Sequence, residues 1–269
     1  MMSPRWLLFK KSGMITSTHN AKIQLVRDLL GRSKERRQSG AFIAEGVRLV
    51  EEALASGRSI RFVLAGKTLN ERGSALAANL RAQHVDVETV ANPIFASIGD
   101  TETSQGILAV LDQFQLLLPH PLSFVLIPDQ VRDPGNLGTL LRAASAAGVE
   151  AVFIPPETTD AFAPKVVRAG MGAHFHLPIH TLAWEQISPL VSGLEVYLAD
   201  MEGTPFWETN LHPPLALIVG GEAAGASLPA RALGKGTISI PMPGRAESLN
   251  AAMAGAILMF EVVRQRSAK

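Results

Sequence analysis

The sequence predicts an α/β chain in which a larger C-terminal domain, a parallel sheet with helices on both faces, follows a smaller α/β domain. Two observations carry that reading. Short leucine-, isoleucine- and valine-rich runs alternate with segments of helical period, the pattern of strand–helix–strand units. Three polar loops, each bearing glycine or proline, follow predicted strands at the end where α/β sheets bind ligands. The 269 residues suit one or two domains. With 47% hydrophobic and 18% charged residues, a sizeable core is expected and intrinsic disorder is not.

The elements follow in order. Residues 22–30 read as a helix, with Leu25, Val26 and Leu29 on one side and Gly31 as a stop. Residues 46–56 form a second, because Val47, Val50 and Leu54 recur three and four apart before Gly57. A strand at 60–65, a helix at 71–82 and an alternating strand at 85–90 come next. Asn92 ahead of Pro93 is a natural helix start, since asparagine caps and proline tolerates the first turn. Residues 106–111 are a strand, and 113–121, where Pro119 and Pro121 flank His120, are a linker. Beyond it come a buried-type strand at 124–127, a polar turn at 129–135 and a helix at 136–147 ended by Gly148. Then follow a strand at 151–154, a helix at 162–169, an extended piece at 175–179, a helix at 184–191 and a strand at 194–199. Strands at 215–219 and 237–240 and a long helix at 248–266 complete the chain. The expected organisation is a loose tail at 1–15, a small domain at 16–112, the linker at 113–121 and the larger domain at 122–269.

Composition excludes several classes. Without cysteine there is no disulfide scaffold, Cys-ligated zinc, iron–sulfur cluster or cysteine nucleophile, which fits a reducing cytosol. The longest apolar runs, 215–219 and 256–260, fall far short of the ~20 residues of a membrane span. The apolar stretch at 6–9 is too short for a signal-peptide core. A soluble, cytoplasmic protein is expected. The net charge of +1 divides unevenly, about +4 over residues 1–112 and −3 over the remainder. Either the front half meets a polyanion or this is ordinary surface charge.

Three loops hold the candidate chemistry. In the first, Asp133, Pro134 and Gly135 turn into a helix, Asn136 stands at or near its cap, and Arg142 is the lone charge on an apolar helix. In the second, Gly220, Gly221 and Gly225 follow a buried strand, so the backbone can approach a ligand closely, and Glu222 lies among them. The spacing is neither the dinucleotide fingerprint nor a phosphate loop. In the third, Ile240–Asn250 runs into the last helix, with Ser248 as a natural N-cap. Behind it Met253, Ile257 and Phe260 form a stripe suited to a core or a dimer face. His174 and His176 have no nearby Asp or Glu to complete a metal set, and no metal is expected. Ser123 and Ser227 lack a nucleophile-elbow context.

Together and in this order the loops resemble those of the SpoU (TrmH) family of RNA ribose 2'-O-methyltransferases, of the SPOUT superfamily. Asp133 to Gly138 with Arg142, Gly220 to Gly225, and Ile240 to Met242 with Glu247 to Asn250 are similar to the three family motifs. The departures are Ala223, where the family usually has glycine, and Ala226, where it usually has a larger apolar residue. Gly40 to Gly46 with residues 51–54 resembles an L30e-like substrate-binding domain. The resemblance implies a SPOUT fold with a deep C-terminal trefoil knot, S-adenosylmethionine as cofactor, a homodimer through the knot domain and an RNA substrate. It places the cofactor at Gly220, Ile240, Leu249 and Met201, and the chemistry at Asn136, Arg142, Glu222, Ser248 and Asn250. Arg142 would act as the base, stabilise a forming alkoxide or hold a phosphate; a guanidinium stays charged near neutral pH, which weighs against the first. RNA contacts are expected from a basic loop, Arg32, Lys34, Arg36 and Arg37, and from Lys165 and Arg168.

The favoured substrate is 23S rRNA. The alternatives are a tRNA 2'-O-methyltransferase, a nonenzymatic RNA-binding protein on the same scaffold, and a nucleotide-dependent oxidoreductase, which the missing glycine fingerprint disfavours.

Overall fold

The computed structural model describes residues 13–99, 105–221, 225–245 and 248–267. The chain divides into two compact units between Asp112 and Gln113.

The first unit carries strands β1 (Ala41–Glu45), β2 (Ile60–Gly66), β3 (Val87–Val90) and β4 (Ile107–Asp112) in the order β1-β4-β2-β3. β4 runs antiparallel to both neighbours, and β2 and β3 are parallel. Helices α1 (Ala21–Gly31), α2 (Ser33–Ser39), α3 (Val47–Ala55), α4 (Glu71–Ala82) and α5 (Asn92–Ala96) accompany them. The Asn20 side chain accepts from Lys22 N at α1, and that of Asn70 from Gly73 N at α4, satisfying amides that a helix start leaves orphaned. Ile23, Val26 and Leu29 put one face of α1 into the core.

Four expectations change here. The basic loop is the helix α2, ended by Gly40 in the left-handed region at φ 58°. Its polar sequence has no apolar stripe to announce it. Arg36 is buried and donates to Leu29 O at 2.6 Å, so it does not belong to the exposed basic set. Asn92 lies inside α5 instead of capping it; its Oδ1 accepts from Lys67 N. Ile15, at the end of the expected tail, is buried and bridged to Val90, while residues 1–12 lie outside the described residues.

The second unit is a six-stranded parallel sheet in the order β10-β8-β9-β5-β6-β7. The strands are β5 (Phe124–Asp129), β6 (Ala151–Ile154), β7 (Ile179–Thr181), β8 (Glu195–Pro205), β9 (Leu215–Gly220) and β10 (Gly236–Ser239). Side chains alternate between two cores as the strand period requires. Phe124, Leu126, Leu215, Leu217 and Val219 face one, beneath α6 (Pro134–Ala146), α7 (Pro164–Gly170) and α10 (Ala251–Ser267). Val125, Ile127, Ala216 and Ile218 face the other, against α8 (Trp184–Leu190) and α9 (Leu228–Leu233). Residues 175–179 are not one extended piece: a 3₁₀ turn at Ala173–Phe175 precedes β7. Residues 113–121 lie against this unit, with Phe114 stacked on Phe175 and His180 Nε2 3.0 Å from Leu116 O. Among the described residues no helix is long and apolar enough to cross a membrane, and no three metal-ligating side chains gather.

Glycine sets the helix spacing over the first core. A Cβ on Gly138 of α6 would stand 2.5 Å from Ala169 Cβ and 2.6 Å from Val166 O of α7. One on Gly255 of α10 would stand 2.4 Å from Leu140 Cδ2 of α6. Beside α7, His174 is fully enclosed, with Nε2 2.7 Å from Ala161 O. Burial pushes its imidazole down to about 4, against the opposing pull of that carbonyl and of Asp160.

Two outcomes are expected. Gly138→Ala separates α6 from α7 and costs about 1–3 kcal/mol, lowering the midpoint of thermal unfolding by several degrees. Gly31→Ala, at the end of α1 with nothing within 4 Å, does not lower it and raises it slightly. His174 gives a pH signature. The unfolded imidazole protonates near 6.5 and the folded one near 4. In that window the unfolded chain binds more protons, so stability is level above pH 6.5 and falls as pH drops toward 4, by about 3 kcal/mol at most. His174→Gln removes this part of the slope in thermal melts taken from pH 7 to 4.5.

Candidate functional site

The three loops meet at the C-terminal ends of β8, β9 and β5. β5 and β9 pair along their whole length, bringing Asp129 beside Gly220. Backbone then crosses backbone. A Cβ on Gly220 would lie 2.5 Å from Gly225 C, one on Gly221 2.4 Å from Gln130 O, and one on Gly203 2.6 Å from Ile238 N. Only glycine permits these approaches. Asp129 is completely buried, and its Oδ2 accepts from Ser227 N at 2.6 Å, tying the glycine loop to the end of β5.

Between these crossings lies a cavity of about 600 Å3. Gly220, Gly221 and Gly225 form one wall, and Ile238, Ile240 and Leu249 supply apolar surface. Met201, Ser248 and Asn250 also line it. All four expected cofactor positions, Gly220, Ile240, Leu249 and Met201, therefore face one cavity.

The chemistry-bearing side chains converge beside it. Asp133, not Asn136, caps α6; its Oδ1 accepts from Asn136 N at 2.8 Å. The Asn136 side chain is engaged elsewhere. Its Oδ1 accepts from Asn250 Nδ2 at 2.9 Å, across 114 residues of chain. Likewise Asn250, not Ser248, caps the last helix, and its Oδ1 accepts from Ala252 N at 2.9 Å and Met253 N at 3.2 Å. The helix therefore begins at Ala251 instead of 248. Arg142 is exposed, and its side chain makes no hydrogen bond or ion pair with the described residues. Glu222 lies outside the described residues.

Other expected positions are more scattered. Lys165 is exposed and Arg168 half-buried on α7, outside the cavity wall. Arg32, Lys34 and Arg37 are exposed around the start of α2, in the other unit; Arg32 has Asp28 at 3.9 Å. The Met253, Ile257 and Phe260 stripe is 57%, 38% and 48% exposed, so the core reading of it fails. Sequence reasoning missed Asp200 and Arg231, which also line the cavity. Asp200 immediately follows the strand expected at 194–199, and a carboxylate just past the end of an expected parallel strand was the available signal; β8 itself runs on to Pro205, past the end of its pairing with β9 at Ala199.

A parallel α/β sheet with a glycine-walled cavity at its strand ends defines a class of proteins that bind a small molecule there. The comparisons narrow it. The model of the SpoU rRNA Methylase family matches residues 123–260, and that of the MRM3-like substrate binding domain matches residues 20–109. A 23S rRNA (guanosine(2553)-2'-O)-methyltransferase of Bacillus subtilis is 36% identical over 248 residues, covering 90% of this chain and 97% of that one. An uncharacterised tRNA/rRNA methyltransferase of Synechocystis is 33% identical over 260 residues, 94% of each. The crystal structure of the SpoU methyltransferase AviRb from Streptomyces viridochromogenes, in complex with AdoMet, superposes with a TM-score of 0.83 at 28% identity, covering 93% of this chain and 99% of that one. This chain belongs to the SpoU rRNA methylase family.

The two functions of Asn250 are separable. Asn250→Asp keeps the capping oxygen and presents an acceptor to Asn136 Oδ1, so the thermal midpoint holds while methyl transfer falls at least tenfold. Asn250→Ala loses both, with a stability cost of about 1 kcal/mol.

Proposed function

We propose that this chain methylates a ribose 2'-hydroxyl of 23S rRNA, working as a cytoplasmic homodimer. The observation that carries the reading is the Asn136–Asn250 bond at the edge of the glycine-walled cavity, with Arg142 on the same helix as Asn136. It joins two loops far apart in sequence at the place where a donor in the cavity would meet an acceptor outside it.

The residues present fit S-adenosylmethionine. The cavity is in the usual range for a small-molecule site. Ile240 and Leu249 offer apolar faces to an adenine, and Gly220 allows close backbone approach. The bound cofactor supplies a sulfonium-activated methyl group. The protein supplies alignment, which is worth several kcal/mol when reacting atoms are held in register. Asn136 and Asn250 orient each other and the incoming nucleotide, and Ser248 shapes the mouth of the cavity. Arg142 meets the RNA, pairing with the phosphate beside the target ribose and stabilising negative charge as the hydroxyl loses its proton. Glu222 is assigned here by its motif position alone.

The first unit grips folded RNA. Exposed Arg32, Lys34 and Arg37 give it salt-dependent affinity with little base reading. In the second unit, Lys165 and Arg168 on α7 supply phosphate contacts of their own. Ribosomal RNA is favoured over tRNA because two relatives matched over 97% and 92% of their own length are named for 23S rRNA alone. The exposed stripe on α10 supports a homodimer through that helix. A trefoil knot is supported by the path of the chain: β10 lies at the sheet edge beside β8, crossing Gly203, and α10 then returns to the centre over α6 and β9.

Transfer of labelled methyl from S-adenosylmethionine to unmodified 23S rRNA, 16S rRNA and bulk tRNA tests this. Label is expected in a 23S ribose, reduced at least a hundredfold by Arg142→Ala while S-adenosylhomocysteine binding persists. Label confined to tRNA would overturn the substrate. Loss of cofactor binding in Arg142→Ala would overturn the role given to Arg142.

A further inference from the structure

We propose that Asp200 grips the ribose diol of the bound cofactor and that Arg231 is a positioning residue for it. This rests on the methyltransferase reading above and assigns the adenosine end of that cavity.

Among the described residues lining the cavity, Asp200 and Arg231 are the two that carry charge; the rest are apolar, glycine or neutral polar. They come from different elements. Asp200 stands in β8 directly after Ala199, and Arg231 in α9. Arg231 Nε donates to Ala226 O at 3.1 Å, which anchors the guanidinium against the glycine loop. Its Nη2 then stands 3.6 Å from Asp200 Oδ2. That separation is an ion pair and not a hydrogen bond. The carboxylate is thus charge-balanced without giving its acceptor sites to the cation. Its Oδ1 accepts from Glu202 N at 3.2 Å, which fixes the rotamer. A carboxylate offers about four acceptor positions, so capacity remains for two hydroxyl donors.

Location selects the diol. The acceptor nucleotide approaches at Asn136–Asn250, on α6 and the start of α10, and the sulfonium must lie there. Asp200 lies on β8, two strands from β5 in the sheet order. β8 also carries Gly203, the residue crossed by Ile238, so Asp200 neighbours the apolar wall that suits adenine. The ribose is bonded directly to that base. Its vicinal hydroxyls are neutral donors, matched to a carboxylate whose charge is already balanced. The cofactor's own carboxylate would meet Asp200 with like charge.

The test measures binding of S-adenosylhomocysteine, its 2'-deoxy and 3'-deoxy analogues, and 5'-methylthioadenosine, which lacks the amino-acid end. Asp200→Asn should weaken S-adenosylhomocysteine ten- to hundredfold. It should weaken 5'-methylthioadenosine by the same factor and lose the wild-type preference for the diol over the deoxy analogues. Asp200→Ser serves if the Asn variant does not fold. Arg231→Gln should cost about tenfold, restored in large part by Arg231→Lys, which a purely packing role would not do. Equal losses for the diol and deoxy ligands would overturn the proposal. So would a loss seen with S-adenosylhomocysteine but not with 5'-methylthioadenosine, which would move the pair to the amino-acid end. Failure of the wild-type chain to bind S-adenosylhomocysteine would overturn the methyltransferase reading itself.

Discussion

The second unit depends on backbone passing backbone with no side chain between. At Gly203 and Gly221 an added Cβ would sit 2.6 and 2.4 Å from main-chain atoms of another segment, and at Gly220 2.5 Å from the far side of its own loop. Main chain cannot rotate aside as a side chain can, so the crossings are all-or-none. They bring the ends of β8, β9 and β10 close enough to wall one cavity. The buried Asp129 carboxylate reinforces this by holding Ser227 N, closing the glycine loop onto the sheet. A loop of larger residues would stand further off and leave a shallow groove.

The helix α6 links this cavity to the surface. Gly138 seats α7 against one side of it and Gly255 seats α10 against another. With both neighbours fixed, Asn136 and Asn250 come within hydrogen-bond distance although their elements form far apart in the chain. Each asparagine is relieved of ambiguity by a backbone interaction. Asp133 takes the capping role that would otherwise occupy Asn136, and the Asn250 oxygen is directed at two helix amides, which turns its amide nitrogen toward Asn136. Arg142, two turns along, shares the same rigid support. Placing chemistry on a packed helix and not on a free loop keeps its geometry precise.

Local signals read well where they were redundant. The buried strands β5 and β9 were legible because apolar runs bounded by turn residues leave few alternatives. Signals that rest on one residue read less well. Asn92, Asn136 and Ser248 are all good capping types by propensity, yet the caps used are Ala91, Asp133 and Asn250. Any of several polar residues near a helix start can cap, and the choice depends on what else competes for the side chain. The polar helix α2 was invisible to periodicity because it is held by its Gly40 stop and by Arg36 folding back onto Leu29 O.

The sequence by itself determined the α/β class, the order of most elements and the residues of the three loops, since each is encoded by neighbours along the chain. It also determined the family, because three motifs in order are far more specific than any one of them. Only the tertiary structure decided which groups meet. The Asn136–Asn250 bond, the Asp200–Arg231 pair and the exposure of the α10 stripe all join or separate residues by sheet order, which local propensity does not specify. Such pairings are set by the packing of glycines against distant backbone, and that is a property of the folded chain alone.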